Sequence, residues 1–177
     1  MHNSEKKEFE YCLRIIDEIG SQITSSEVIL DHDEFCLLKK DLIKKELKVD
    51  ISLDLLAEHW GKPGFAKLIN KHIENAAAGP SVAAIFGHVE EMARIRLNKD
   101  IRLRWFSKWE SFSITGDWFT SPDTLDFVEM FMAVEAKLGL PVKSSYLPYG
   151  KYLSAPVKHF VKRTWEATRN LSETAGS

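Results

Sequence analysis

Apolar residues recur along the first half of the chain at the three- and four-residue steps that one face of an α-helix requires. This spacing predicts helices over about residues 5–23 and 33–48. A further helix is expected to begin near Pro63, because proline suits the first helical position. The stretch 50–61, which lies between the last two of these, is expected to be turn-like.

The helical pattern stops at Gly79-Pro80 and starts again at Ser81, a residue suited to cap a helix N-terminus. The second half then predicts helices over 81–98, 123–138 and 155–170, with Ile95 among the apolar residues of the first. No stretch sustains the alternation of a strand. The sequence therefore predicts an all-α fold of two consecutive four-helix bundles, residues 1–78 and 79–177.

The charge balance excludes whole classes of partner. With 24 Lys and Arg against 26 Asp and Glu, the formal net charge is −2, so no global field attracts nucleic acid or an anionic membrane. The hydrophobic fraction of 44% and the charged fraction of 28% are typical of a globular core. We expect no nucleic-acid and no membrane partner.

Residues that support catalysis or metal binding occur in no recognisable pattern. Cys12 and Cys36 are too few for a disulfide framework or a thiolate zinc site, and we expect both to be small buried residues. The histidines lack paired ligand spacing, and phosphate loops and nucleophile elbows are absent. The chain is expected to be no enzyme, to hold no metal and to be cytoplasmic, since its first ten residues lack the apolar core of a leader.

The segment 123–142 begins Asp123-Thr124-Leu125-Asp126. It resembles the second helix of acyl carrier proteins, in which an Asp-Ser-Leu-Asp motif opens a helix with an acidic outer face. The likeness is ungapped over twenty positions. Asp123 would cap this helix. Its expected buried stripe consists of Leu125, Val128, Val134 and Leu138, with Met130 or Phe131.

The resemblance implies a cofactor position and a docking face. In the family, the motif serine carries 4′-phosphopantetheine; Thr124 stands there in this chain, and its crowded secondary hydroxyl should react more slowly. Ser121, three residues upstream, is the other hydroxyl considered. The acidic face would comprise Asp126, Glu129 and Glu135, which are expected on one exposed side and would bind a protein partner with a basic patch.

A weaker form of the resemblance runs through the first half, from Leu42 to Leu56 and again from Pro63 to Ile69. One offset of 91 residues pairs Ile51 with Val142 and places Asp33 at the position of Thr124. A carboxylate cannot carry the usual phosphodiester. The predicted second helix of this half also has five lysines, so its charge is positive where that of the family's second helix is negative: Lys39, Lys40, Lys44, Lys45 and Lys48.

Two functions remain open at this point. The chain is either a carrier or pseudo-carrier that interacts with enzymes of a fatty-acid or polyketide-like pathway, or a non-enzymatic interaction module, such as a regulator or immunity-type protein. The aromatic loop with Trp105, Trp109 and Trp118 follows several arginines, a combination that suits stacking on bases and also suits binding a protein partner. Core packing is expected for most of its rings.

Overall fold

The computed structural model describes residues 3–25, 31–62, 64–75, 79–112, 124–141 and 153–175. Within these ranges the chain forms seven α-helices and one 3₁₀ helix, and no strand. The all-α fold class is confirmed. The chain divides into two compact units, Met1–Ala84 and Ile85–Ser177. The domain boundary expected between residues 78 and 79 stays a prediction.

The first unit contains α1 (Asn3–Thr24), α2 (His32–Leu47), α3 (Leu53–His59) and α4 (Phe65–Asn75). Helix α1 packs against α2 and α4, and α2 packs against α3. The stretch 50–61 was expected to be turn-like, but it holds α3, whose first turn is stabilised when the Leu55 N–H donates to Ser52 Oγ at 3.3 Å. Pro63 lies outside the described residues.

Both ends of α2 are fixed by local contacts. Asp31 accepts a hydrogen bond from the Glu34 N–H at 2.9 Å, and the Glu34 carboxylate accepts one from the Asp31 N–H at 3.3 Å. This reciprocal pair is a capping box, which satisfies N–H groups that the helix leaves unpaired. At the other end, Lys48 adopts a left-handed conformation with φ of 59°. The expected bounds of this helix are therefore right to within one residue.

The core of the first unit is aliphatic with two thiols. It includes the following buried side chains: Cys12, Ile15, Ile16, Ile19, Ile23, Cys36, Ile43, Leu47, Val49, Ile51, Leu56, Phe65, Ala66, Ile69 and Ile73. Both cysteines are free and buried, as expected. Burial is the main cause that raises the pKa of Cys12 to about 12.

One lysine lies inside this core. Lys39 is only 5% exposed, and its ammonium nitrogen lies 3.8 Å from the ring centroid of Phe35 and 4.5 Å from that of Trp60. Desolvation by burial lowers the pKa of Lys39 below its ordinary value of 10.5. Cation–π attraction to the two rings offsets part of the cost of removing the ammonium from water.

The second unit contains most of α5 (Val82–Arg96), a 3₁₀ helix (Trp109–Phe112), α6 (Thr124–Lys137) and α7 (Val157–Ala175). Ser81 caps α5 as expected, because its Oγ accepts from the Ala84 N–H at 3.0 Å. Ser81 itself belongs to the first unit, within which its hydroxyl also donates to the carboxylate of Glu8 in α1. Helix α7 runs about one turn further than the sequence pattern predicts.

A buried carboxylate in α5 binds the irregular segment that follows this helix. Glu90 is 1% exposed; one of its oxygens accepts from the Leu103 N–H at 2.8 Å, and the other accepts from Arg94 at 2.8 Å. Arg94 Nε in turn donates to the carbonyl of Ile101 at 3.0 Å. Along this segment Ile101, Leu103 and Trp105 are buried, whereas Arg102 and Arg104 between them are exposed.

The next part of the loop pairs with the residues that enter α7. The N–H of Glu110 donates to the Leu153 carbonyl at 2.8 Å, and the N–H of Val157 donates to the Ser107 carbonyl at 2.8 Å. The N–H of Lys158 similarly bonds to the carbonyl of Trp105 at 3.1 Å. These loop carbonyls thus bind N–H groups at the start of α7 that no helical partner can satisfy.

The buried lysine generates a test of the first unit. Replacing the ammonium in Lys39→Met should stabilise the fold by about 1 kcal/mol at neutral pH, since an apolar side chain of similar length avoids the desolvation cost. Between the lowered pKa of Lys39 in the folded chain and 10.5, the unfolded chain binds more protons, so wild-type stability from this group rises with pH. The advantage of the variant should therefore shrink as the pH approaches 10.5.

Urea unfolding at several pH values measures this difference. Lys45→Met is the matched control, because Lys45 is exposed on the same helix and should change the unfolding free energy by less than about 0.5 kcal/mol. A Lys39→Met variant less stable than the wild type at pH 7 would contradict the account.

The buried carboxylate generates a second test. Glu90→Ala removes the acceptor used by the Leu103 N–H and by Arg94, and should lower the unfolding free energy by about 3 kcal/mol. Glu91 is the adjacent residue, is exposed and pairs with Lys137 on the surface, so Glu91→Ala should cost less than about 1 kcal/mol. Tryptophan fluorescence during urea titration compares the two variants. Equal decreases in the unfolding free energy of the two variants would show that Glu90 does not anchor the segment after α5.

Candidate docking surface on the sixth helix

The attachment position implied by the resemblance is the first residue of α6. Thr124 begins this helix, while Ser121 and Asp123, the alternative hydroxyl and the expected cap, lie outside the described residues. The first turn of a helix offers N–H groups with no helical acceptor, together with the positive end of the helix dipole. That position suits a phosphodiester on chemical grounds.

Apart from Lys137 in the last turn, the exposed residues of α6 lie in one strip, which we call the α6 strip: Leu125, Glu129, Met132 and Ala136. Successive residues turn about 100° around a helix, so these four positions lie on one side. The opposite side is buried through Phe127, Met130, Phe131 and Val134. The α6 strip is therefore mainly apolar, with one carboxylate at its centre.

The three acidic residues expected on one exposed side occupy different positions. Glu129 lies in the α6 strip, but Asp126 and Glu135 are only partly exposed. Nine residues separate these two, which places them half a turn apart, on opposite flanks of the strip. The expectation of one shared acidic side is thus wrong, because the spacing of Glu135 does not match the helical period.

The expected buried stripe needs a similar correction. Leu125 was expected in the core and is 59% exposed, while Val128 and Leu138 are partly exposed. The residues that do enter the core include Phe127, one of the positions that the pattern left out. Apolar side chains occur around most of α6, so periodicity alone could not select the buried side.

Two ion pairs connect α6 to α5. Glu129 Oε2 lies 3.8 Å from Arg96 Nη1, and Lys137 Nζ lies 2.6 Å from Glu91 Oε2. The later residue of α5, Arg96, pairs with the earlier residue of α6, Glu129. The two helices are therefore antiparallel. Each pair is about half exposed and contributes less than about 1 kcal/mol to stability. Their charges remain accessible to a partner.

An aromatic cluster packs against the buried side of α6. The ring centroid of Trp109 lies 5.0 Å from that of Phe131, 6.2 Å from that of Phe127 and 6.3 Å from that of Phe160. All three contacts are close to edge-to-face, which is a favourable geometry for aromatic rings. The cluster holds the buried side of α6 and leaves the α6 strip to solvent.

The tryptophans of the aromatic loop are core residues where they are described. Trp105 and Trp109 are fully buried, and Trp105 packs edge-on against Phe86 at 5.4 Å. The expectation of core packing is confirmed for these two, which removes them as surface anchors for a partner or for bases. Trp118 lies outside the described residues.

The basic character expected for α2 is weaker at the surface than its sequence indicates. Lys39 is buried, and Asp50 pairs with Lys44 at 2.8 Å and with Lys40 at 3.6 Å. These contacts raise the pKa of Lys44 and lower that of Asp50, mainly through their hydrogen bond. The positive charge that α2 presents to solvent is therefore smaller than its five lysines indicate, because one lysine is buried and one carboxylate offsets part of the charge of two others.

Among the described residues, no group of three or more His, Cys, Asp and Glu side chains converges as a metal site would require. None of the described helices combines the length and the apolar character needed to cross a membrane.

Sequence reasoning missed the apolar surface next to the acidic residues. Ile95 was expected on the buried side of α5, yet it is 65% exposed. The signal that could have indicated this is its position beside Arg94 and Arg96, in the polar last turn of the helix.

In comparisons with known proteins, no family model, no curated protein and no solved structure matches the chain.

Proposed function

We propose that the chain is an acyl carrier protein-like interaction protein, built from two carrier-like units, that binds enzymes of a fatty-acid or polyketide-like pathway through α6. The observation that carries this proposal is the agreement of the two units at the offset of 91 residues. The offset follows from the sequence alone, so the bounds of the helices in the structure support it independently.

Helix starts agree with this offset to within one residue. Thr124, the first residue of α6, corresponds to position 33, and α2 begins at His32. Val157, the first residue of α7, corresponds to position 66, and α4 begins at Phe65. Residues that would correspond to α3 fall at 144–150, outside the described part of the chain. The loops before α2 and α6 differ in length, so the agreement covers the later helices of each unit.

Many buried positions agree at the same offset, although Glu46 and Leu47 are buried and their counterparts, Lys137 and Leu138, are not. On α2 and α6 the matched buried pairs are Cys36 with Phe127, Lys39 with Met130, and Ile43 with Val134. Beyond these helices the matched buried pairs continue: Val49 with Leu140, Ala66 with Val157, Ile69 with Phe160, and Ile73 with Thr164. A shared burial pattern at one spacing is what duplicated helical units would produce.

The attachment positions favour a pseudo-carrier over a loaded carrier. Asp33 is exposed in the first turn of α2, and its carboxylate cannot form the phosphodiester that links 4′-phosphopantetheine to a hydroxyl. Thr124 keeps a hydroxyl, but a secondary one. We infer that the first unit carries no prosthetic group and that the second is at best slowly modified.

The same substitutions favour the second candidate function, a regulator or immunity-type module that keeps the carrier fold without a prosthetic group. Neither function makes the chain an enzyme. They differ in the partner: a carrier meets the enzymes that load and process an acyl group, whereas the module binds one target. Partner docking by α6 is common to both.

Intact-mass measurement separates the two functions. After co-expression with a broad-specificity phosphopantetheinyl transferase, we expect the wild type to gain little or no pantetheine mass. Thr124→Ser should gain one pantetheine arm, because the primary hydroxyl is less crowded. Thr124→Ala is the matched control and should gain none. If Thr124→Ser is not modified, the carrier-like hypothesis is contradicted. Full modification of the wild type at Thr124 would instead establish a true carrier.

Charge reversal on α6 tests the docking face. In Asp126→Lys with Glu129→Lys, binding to a basic partner should fall most at low salt, because rim charges act mainly on the association rate. Asp41→Lys with Glu58→Lys changes the net charge equally on exposed sites of the first unit and is the matched control.

A pull-down at two salt concentrations, followed by circular dichroism of each variant, makes the comparison. The proposed face is contradicted if the α6 pair recovers the same partners as the wild type while the control pair does so too.

A further inference from the structure

The segment that follows α5 presents two arginines on one side of an extended chain. From Ile101 to Trp105 every second residue is buried, and Arg102 and Arg104 between them are exposed. This alternation is that of an extended backbone, in which residues two positions apart point the same way. The two arginine side chains therefore leave the same side of the chain, from backbone positions about 7 Å apart.

Hydrogen bonds to two helices hold this segment in place. The Ile101 carbonyl and the Leu103 N–H bond to side chains of α5 at 3.0 Å and 2.8 Å. The Trp105 carbonyl accepts from the N–H of Lys158, at the start of α7, at 3.1 Å. All of these bonds use backbone groups of the buried residues, so the two exposed arginines are displayed from a fixed backbone.

The opposite edge of the segment is open. Consecutive residues of an extended chain direct their N–H and C=O groups to opposite sides, so those of Arg102 and Arg104 point away from the two helices. Within the described part of the chain, the N–H and C=O of Arg102 and the N–H of Arg104 form no hydrogen bond, and neither guanidinium forms an ion pair. The Arg104 carbonyl accepts from the Ser107 N–H at 3.3 Å. We call Arg102 and Arg104, with these open backbone groups, the basic edge.

The charge around the basic edge selects an anionic partner. Residues 99–108 hold four Lys and Arg against one Asp and no Glu. The ammonium of Lys158 adds a further cation, 4.4 Å from the ring centroid of Phe106. A second copy of the same edge would set arginine against arginine, and like charges directly opposite each other destabilise strand pairing. The complement of this edge is therefore an acidic chain and not another copy of itself.

Two features favour a peptide over a nucleic acid as this partner. Phe106 is only partly exposed, and the Lys158 ammonium occupies one face on which a base would stack. The open groups of Arg102 comprise a donor and an acceptor, which an extended peptide pairs with through its own C=O and N–H. A phosphodiester chain has no N–H donor for that carbonyl.

We propose that the basic edge is a docking site for an extended acidic peptide of a partner protein, which pairs with it as a β-strand. Carboxylates at alternate positions of the peptide would lie opposite Arg102 and Arg104. Main-chain hydrogen bonds supply affinity in this mode, and the facing side chains supply selectivity. The proposal does not depend on the carrier-like function, since it uses neither Thr124 nor the acidic residues of α6.

Fluorescence anisotropy of labelled peptides, titrated at low salt with the purified full chain, measures the binding. The probe is a peptide of about eight residues in which Glu and Thr alternate, so that its carboxylates lie on one face of a strand. The matched control has the same composition, with the glutamates in adjacent pairs. We expect the alternating peptide to bind about tenfold more tightly, because only its carboxylates all face the arginines.

Variants of the chain test the contribution of the arginines. Arg102→Gln with Arg104→Gln should raise the dissociation constant of the alternating peptide by about tenfold, because both charge pairs are lost while the backbone edge remains. Lys67→Gln with Lys71→Gln removes the same charge from exposed positions of α4 in the first unit. This control pair should leave the dissociation constant within about twofold of the wild type.

Methylation of the peptide backbone tests the strand pairing. The residue opposite Arg102 exchanges two hydrogen bonds with it, and in the alternating peptide that residue is a glutamate. N-methylation of every Glu should therefore weaken binding by about tenfold or more. N-methylation of every Thr should have a smaller effect, because the Thr N–H groups face away from the basic edge.

Four results would each overturn the proposal. They are no binding of the alternating peptide, equal binding of the two peptides, undiminished binding by the arginine variant, and tighter binding of an oligothymidylate of about eight nucleotides. The last result would assign the basic edge to single-stranded nucleic acid. Circular dichroism establishes that the variants are folded, and the peptide comparisons use only the wild type, so they decide the matter if a variant fails to fold.

Discussion

The carboxylate of Glu90 is the contact on which the second unit depends. It is buried in α5, and the Leu103 N–H and the Arg94 guanidinium both donate to it, which offsets the cost of removing a carboxylate from water. Those donors belong to the helix and to the segment after it, so the ion holds the two together. Trp105 and Trp109 follow within that loop; Trp105 packs against Phe86 of α5, and Trp109 packs against Phe127 and Phe131 of α6.

The two units bury charge by different physical means. Glu90 is satisfied by directed hydrogen bonds, which define a single position for the backbone of Leu103. Lys39 lies against the faces of Phe35 and Trp60, which attract the ammonium but fix its direction less strictly. At the proposed offset of 91 residues, the position that corresponds to Lys39 is Met130, which is buried.

Helix α6 has apolar residues on both its buried and its exposed sides, and this division connects packing to the proposed function. Phe127 and Phe131 bind the aromatic cluster, which fixes the helix in rotation. Leu125 and Met132 are thereby directed outward, on either side of Glu129. A surface of this kind gains affinity from apolar contact and selects its partner by the few charges around it. The proposed docking uses this surface.

The sequence by itself determined the helical class and the helix bounds to within a few residues, because apolar spacing and capping residues such as Ser81 act locally. It also indicated that both cysteines are buried. It missed α3 as a helix, and it missed the alternating burial of 101–105, where apolar residues and arginines alternate over only five positions.

Only the tertiary structure decided which side of α6 is buried and where the acidic residues lie. Since α6 is apolar around most of its circumference, its rotation depends on Trp109 and Phe160, which come from distant parts of the chain. The exposure of Ile95 and the burial of Lys39 have the same origin. Each depends on which neighbouring elements cover a helix face, and no local spacing in the sequence records that.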